Sequence, residues 1–372
     1  MSQRAVITGL FLAVGVSVAS IGVASRAGAQ GAPSGGNGTI YYATYDKKIL
    51  VIDEATMVVR DSMAVSIGIP MGLSLSQDRR RIYTLDPFFE KVEIFDLATR
   101  KSIDRFSLSN DTMQVAISGF NVDPLDRFAV LLVKTKARKR DHFEIGKPTL
   151  LKYDLAKKVV TDTIQWPLGE EREFAQVLFS PDGKLLYFFT SDDVLIYDTQ
   201  TLKQVDRWDF DRALDEGMGR WNFGFPESLY EEPGFYTGLF RTTDPVNHRD
   251  LMGVARVDLV NRAVDYYSLG PSERVGFALA PGRQKAYGLR QQVGNYQFWT
   301  FDLAGRQVSQ RVEFEGRPRM GLTVSTNGTQ LYVHVAGATI DVYDAATLQL
   351  VRTVRYAADQ TDFLVVPPPG GR

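Results

Sequence analysis

Ser180-Pro181-Asp182-Gly183, followed by Lys184-Leu185-Leu186-Tyr187-Phe188-Phe189-Thr190 and then by Val194-Leu195-Ile196-Tyr197-Asp198-Thr199-Gln200-Thr201, is the stretch on which the fold turns. Pro presets φ and Gly accepts φ > 0, so Ser-Pro-Asp-Gly makes a tight turn. The two apolar runs after it are aromatic and β-branched, and each is shorter than a typical helix. They read as buried strands. The unit is a small antiparallel meander.

Working outward, the same unit recurs. An apolar residue followed by Asp and a short turn occurs at Ile52-Asp53, Phe95-Asp96, Tyr153-Asp154, Tyr197-Asp198, Val257-Asp258, Phe301-Asp302 and Tyr343-Asp344. Six of these continue as Asp-x-x-Thr, Lys or Asn, through Thr56, Thr99, Lys157, Thr201, Asn261 and Thr347, and Gly305 stands in the sixth copy. Asp and Thr at this spacing bond nearby backbone N–H groups and close a hairpin. A second turn precedes most copies: Ser76-Gln77-Asp78, Asp123-Pro124-Leu125-Asp126, Ser180–Gly183, Glu232-Pro233-Gly234, Ala280-Pro281-Gly282 and Ser325-Thr326-Asn327-Gly328. Each copy therefore holds four short strands, and four strands per repeat of about 40–45 residues make a propeller blade. The Gly-His and Trp-Asp signature of WD40 repeats is absent.

The first copy begins at Gly38-Thr39-Ile40-Tyr41-Tyr42 without a leading strand, and Asp362-Phe363-Leu364-Val365-Val366 has no blade left to lead. The expected fold is thus all-β: a seven-bladed β-propeller of four-stranded antiparallel blades over 39–367, closed by the C-terminal strand completing the first blade. Closure removes exposed sheet edges.

The ends read differently. Arg4, the apolar run Ala5–Val23 and Ala27-Gly28-Ala29 fit a signal peptide over 1–29, cleaved near Ala29. A retained membrane anchor is the other reading of that run. Residues 30–38 read as a flexible Gly/Ser/Pro/Asn leader and 368–372 as a tail. The expected location is periplasmic, with no membrane span after cleavage.

The net charge is -1, and -3 once Arg4 and Arg26 leave with the signal, so no overall field draws the chain to nucleic acid. The chain has no cysteine. Disulfides, thiolate catalysis and haem attachment through Cys-x-x-Cys-His are excluded. There is also no Walker loop, His-Glu-x-x-His or Gly-x-Ser-x-Gly. The Asn-x-Thr triplets at Asn37, Asn110 and Asn327 read as leader or turns before glycan sites.

Loop lengths point to one face. First-to-second and third-to-fourth turns of a meander lie on one face of the disc, the turn face. Second-to-third turns and blade connections lie on the other, the loop face. Three expansions, Lys134–Pro148, Asp209–Asn222 and Arg241–Asp250, are all expected on the loop face, with tight turns kept opposite. Long loops on a rigid scaffold are where binding concentrates.

From these loops the partner- or pocket-face candidates are Arg138, Arg140, Asp141, His142, Arg220, Trp221, Asp244 and His248. The basic run Lys134–His142 suits an acidic partner or is a solvated loop. Trp208, Trp221, Phe223 and Phe225 read as packing between blades, or as an apolar wall. Nothing in the spacing makes His142, His248 and His334 converge on a metal. No residue stands out as catalytic, cofactor-binding or metal-binding.

Beyond the bare repeat, Asp141-His142-Phe143 with Lys147-Pro148 and Leu150-Leu151-Lys152-Tyr153-Asp154, the long connection with Arg220-Trp221-Asn222, and Phe235–Asp258 with its Thr243-Asp244-Pro245 loop resemble the β subunit of quinohemoprotein amine dehydrogenase, within the YVTN-type propellers. The resemblance implies a periplasmic complex oxidising primary amines. Haem c belongs to a dihaem c-type subunit and cysteine tryptophylquinone to a small crosslinked subunit. The propeller carries neither; it covers the quinone, lines part of the pocket, and is not catalytic alone. Two other readings stay open: a stand-alone exported binding or scaffold propeller, and a metal-dependent propeller hydrolase or lactonase.

Overall fold

A computed structural model describes residues 35–190, 193–209, 213, 215–224, 228–335 and 337–368. The expected signal peptide, the start of the leader and the end of the tail lie outside the described residues.

Seven antiparallel sheets follow one another along the chain. Blade 1 is Gln360–Val366, Thr39–Thr44, Lys48–Asp53 and Val58–Ala64, in that spatial order. The C-terminal strand pairs with the first, Tyr41 opposite Leu364 and Ile40 opposite Val365, so the expected closure is present. Blade 2 runs from Met71–Leu75 to Lys101–Ser107, blade 3 from Met113–Val122 to Val159–Ile164 and blade 4 from Gln176–Phe179 to Gln204–Asp209. Blade 5 runs from Trp221–Phe223 to Ala263–Pro271, blade 6 from Ala278–Leu279 to Gln307–Phe314 and blade 7 from Met320–Val324 to Leu350–Arg355.

The core sits between the sheets. Ile82 and Phe95 of blade 2 pack with Ile49 and Val51 of blade 1, Phe188 and Leu186 of blade 4 with Val130 and Leu132 of blade 3, and Tyr332 and Ile340 of blade 7 with Tyr42 and Phe363 of blade 1. The other neighbours pack likewise, and the cycle of contacts closes the ring. Fourth strands form the rim, as the run of exposed residues along Val58–Ala64 and Val159–Ile164 shows.

The repeat turns work as the residue types dictate. Thr56 donates its backbone N–H and its hydroxyl to Asp53 Oδ1 at 2.9 and 2.6 Å, and Thr99, Thr201 and Thr347 repeat this on Asp96, Asp198 and Asp344. The residue after each Thr (Met57, Arg100, Leu202 and Leu348) takes φ between 56° and 59°. There the N–H of Met57, for example, donates to the Asp53 carbonyl at 2.7 Å. Bulges follow in the fourth strands, where Arg60 and Val205 are skipped in the pairing with the third. Left-handed backbone at a non-glycine residue has no strong sequence signal.

The leader's last residues are packed. Gly38 N–H donates to Glu54 Oε2 at 2.8 Å, and Thr326 N–H and Tyr332 OH donate to Glu54 Oε1 at 2.8 and 3.0 Å. Glu54 is wholly buried between blades 1 and 7. A Cβ on Gly35 would fall 1.7 Å from Tyr332 Oη, so no larger residue fits there.

Candidate functional site

On the loop face the sequence-predicted residues divide into two sets. In blade 3 the second strand runs on through Arg138, past the end of the blade, and turns back into a short extra strand, Phe143–Ile145. The first strand flanks it, Met113 opposite Ala137. The result is a three-stranded tongue carrying Arg138, Arg140, Asp141 and His142. His142 Nδ1 lies 2.8 Å from Asp141 Oδ1, both exposed, and Lys139 pairs with Glu144 at 2.9 Å. That pairing holds the Glu144 carboxyl below its ordinary value. Phe143 is 61% and Ile145 54% exposed, two residues apart on one side of the short strand.

The second set lies in blade 5. Its second and third strands form a long hairpin in which Asp244 stands opposite Arg249. Arg220 precedes the first strand, whose Trp221 stands opposite Thr242, so Arg220, Asp244 and His248 belong to one region. Blade 4 separates them from the tongue, and the two sets do not merge into one pocket.

Two of the candidates are not surface groups. Trp221 is 7% exposed and packs edge-on to Phe240 in the core between blades 4 and 5, because its position in a first strand turns the indole toward the neighbouring sheet. Trp208 and Phe223 pack on the same core, while Phe225 lies outside the described residues. Asp244 is 6% exposed. It accepts hydrogen bonds from the Asn247 backbone and side chain, at 3.1 and 2.8 Å, and from Arg249 Nε at 2.9 Å. Those bonds, Asn247 first, lower its pKa to about 2. Asp244 closes its hairpin and offers a partner little. His248, at φ 50°, is exposed at the hairpin tip.

The turn face departs from the expectation of tight turns throughout. In blade 5 the described residues before the second strand, 228–234, form a strap that reaches blades 1, 2, 6 and 7. Leu229 packs on the core between blades 1 and 2, and Tyr230 on that between blades 6 and 7. Arg79 Nη2 of blade 2 donates to the Leu229 carbonyl at 3.2 Å, and Tyr230 OH donates to the Val324 carbonyl of blade 7 at 3.0 Å. Arg283 of blade 6 reaches Glu232 at 2.8 Å, and Arg256 bridges Glu231 and Glu232 at 3.2 and 2.7 Å. Burial raises the Tyr230 pKa. Against the strap a cavity of about 1320 Å³ opens, lined by Leu229 and Tyr230 and by residues of blades 2 to 7, with Phe120, Leu125 and Phe174 on its wall. The extra length between blades 4 and 5 is therefore shared by both faces. The only sequence signal of the strap was that length.

His334 sits at the seam between blades 7 and 1, stacked on Phe363 with ring centroids 4.3 Å apart. Gln360 Nε2 lies 2.8 Å from its Nδ1 and Thr323 Oγ1 3.2 Å from its Nε2. Protein surrounds the half-buried ring, and this desolvation lowers its pKa to about 4. The three histidines thus lie on three blades. Among the described residues no three His, Asp or Glu side chains form a metal-binding group, and no described helix is long and apolar enough to cross a membrane.

The chain matches no family model and no curated protein. Solved structures share its fold. Pseudomonas aeruginosa periplasmic gluconolactonase PpgL is 14% identical with a TM-score of 0.53, covering 89% of this chain and 99% of that one. A functionally unknown protein from Desulfotomaculum acetoxidans is 13% identical with a TM-score of 0.55, covering 89% and 99%. The β-propeller domain of Cps50 from Myceliophteria thermophila is 13% identical with a TM-score of 0.54, covering 80% and 90%. At such identities the likeness is one of architecture, a β-propeller.

Proposed function

We propose that this chain is the propeller subunit of an exported amine dehydrogenase-like complex, a rigid disc that docks through its loop face and walls part of a primary-amine pocket. The observation that carries the docking is the projecting blade 3 tongue, with two large apolar side chains in solvent beside a cationic tip. A monomer seldom exposes such residues together, and grouped exposure marks an interaction surface. The amine specificity rests on the resemblance of the Asp141-His142-Phe143 and Arg220-Trp221-Asn222 segments to the quinohemoprotein amine dehydrogenase β subunit. In this reading quinone and haem c belong to the small and dihaem partner chains. The residues of this chain bind, orient and exclude water, and none transfers electrons.

Purification of the tagged full chain from its native host tests the reading. The expected product carries c-type haem absorbance, a small quinone-bearing chain and amine-dependent dye reduction. A lone colourless monomer without that activity would overturn it, and lactone hydrolysis by such a monomer would put a hydrolase in its place.

A further inference from the structure

On the blade 3 tongue a free sheet edge, exposed apolar side chains and uncompensated cations coincide. The edge follows from the ladder. Lys139 N–H donates to the His142 carbonyl and Gly146 N–H to the Thr135 carbonyl, each at 2.9 Å. Between them Phe143, Glu144 and Ile145 stand opposite Arg138, Ala137 and Lys136. Ladder bonds of an antiparallel pair fall on alternate residues. They fall at 142, 144 and 146, and the N–H and C=O groups of Phe143 and Ile145 point outward. The next strand of the blade, Val159–Ile164, pairs with Leu150–Asp154 and stops short of them.

The charge is as specific. Lys134 pairs with Glu173, Lys139 with Glu144 and Lys147 with Glu171. Lys136, Arg138 and Arg140 have no carboxylate partner among the described residues. Residues directly opposite in an antiparallel pair project to the same side. Arg138 and Phe143, with Lys136 and Ile145, therefore make one alternating cationic and apolar face. A groove of about 440 Å³ adjoins this face at Lys136, Arg138 and Phe143, with Arg140, Met113, Asp111 and Asp141 also on its wall.

We infer that the tongue receives an acidic segment of a partner protein, which adds as a β-strand along Phe143–Ile145 and sets its carboxylates against Lys136, Arg138 and Arg140. The inference deepens the docking reading above and rests on it. A peptide backbone is the occupant that fits, because the outward groups alternate donor and acceptor at strand spacing, and a polyphosphate chain supplies no donors. Acidic side chains fit because three cations stand uncompensated on a chain of net charge -1. Such an occupant would also cover an edge that otherwise invites aggregation.

A short synthetic peptide of alternating Glu and Val is the probe, titrated at low salt into the full chain. Two variants are compared: Lys136→Glu/Arg138→Glu/Arg140→Glu, and Ile145→Pro, which removes an outward N–H while leaving the ladder intact. The expected result is binding by the unaltered chain, protection of the Phe143 and Ile145 amides from hydrogen exchange, and affinity about tenfold lower in each variant. A Lys-Val peptide that binds equally well, failure of the Glu-Val peptide to bind, or binding that leaves those amides unprotected would overturn the inference. In the native host, a partner recovered equally by the unaltered chain and both variants sinks the tongue and leaves the proposed function standing. Recovery of no partner at all, while the peptide binds as expected, sinks the proposed function instead.

Discussion

The first-to-second connection of blade 4 and the same connection of blade 5 occupy equivalent places and are held by different means. In blade 4 everything is local: Ser180 Oγ donates to Asp182 Oδ1 at 2.7 Å and accepts from Leu185 N–H at 2.9 Å, while Gly183 turns at φ 67°. In blade 5 the connection has local bonds too, such as Glu231 N–H to the Ser228 carbonyl at 3.2 Å, but it is also tied to Arg79, Val324 and Arg283, which lie on blades 2, 7 and 6. A local turn needs only its own residues, so it recurs wherever they do: Ser325, Asn327 and Gly328 repeat it in blade 7. A long-range tie needs the finished ring. The seam at Glu54 and His334 follows the second rule.

The difference can be tested by removing one group at a time, and the largest effect is expected at the seam. Glu54→Ala leaves the N–H groups of Gly38 and Thr326 and the hydroxyls of Thr326 and Tyr332 without their acceptor at a wholly buried residue. The cost should be about 4 kcal/mol in urea unfolding, from four donors that lose one carboxylate. A loss under about 1 kcal/mol would mean that the seam is held no differently from a surface turn.

Next comes acid sensitivity at His334. Its folded pKa, near 4, lies below the ordinary 6.5, so between those values the unfolded chain binds the proton and the folded chain does not. Stability from this group is complete above pH 6.5 and falls as pH drops toward 4, by at most about 3 kcal/mol. Urea midpoints measured across that window should flatten in His334→Gln; an unchanged slope would assign the sensitivity elsewhere.

A smaller loss is expected in the strap. Glu231→Ala removes a side chain that is only 4% exposed from Arg256 and Thr237. About 2 kcal/mol should be lost, moderated because Arg256 keeps Glu232 at 2.7 Å. Proteolysis near Leu229 should rise as well. Smallest is Ser180→Ala in the blade 4 turn, about 1 kcal/mol for one capping hydroxyl, with no change in cleavage of the strap. Should Ser180→Ala cost more than Glu231→Ala, local bonds would outweigh the cross-ring ties and the contrast would reverse.

Where sequence reading worked, the cause and the residue were neighbours. Asp198 and Thr201 announce a hairpin because the bonds that close it span three residues. Where it failed, cause and effect were far apart. Trp221, flanked by Arg220 and Asn222 in a long connection, reads both as packing between blades and as part of a partner face, and only blade 4 packed against it decides for the first. Nothing near Glu54 in the chain marks it, because its partner Thr326 arrives from 272 positions away. The tongue was visible as extra length and positive charge, and its free edge was not, because register between strands is a property of the pair.

The amino-acid order by itself determined a closed ring of seven four-stranded blades, since each repeat turn is encoded within a few residues and an orphan strand at one end matches a missing strand at the other. It also determined that neither thiol nor disulfide chemistry belongs to this chain. Only the tertiary structure decided that a strap ties blade 5 to blades 1, 2, 6 and 7, that Glu54 and His334 sit at the seam, and that Trp221 and Asp244 leave the surface while Phe143 and Ile145 stay on it. Those outcomes depend on which groups meet once distant blades come together, and burial is a relation between residues that no single stretch of chain contains.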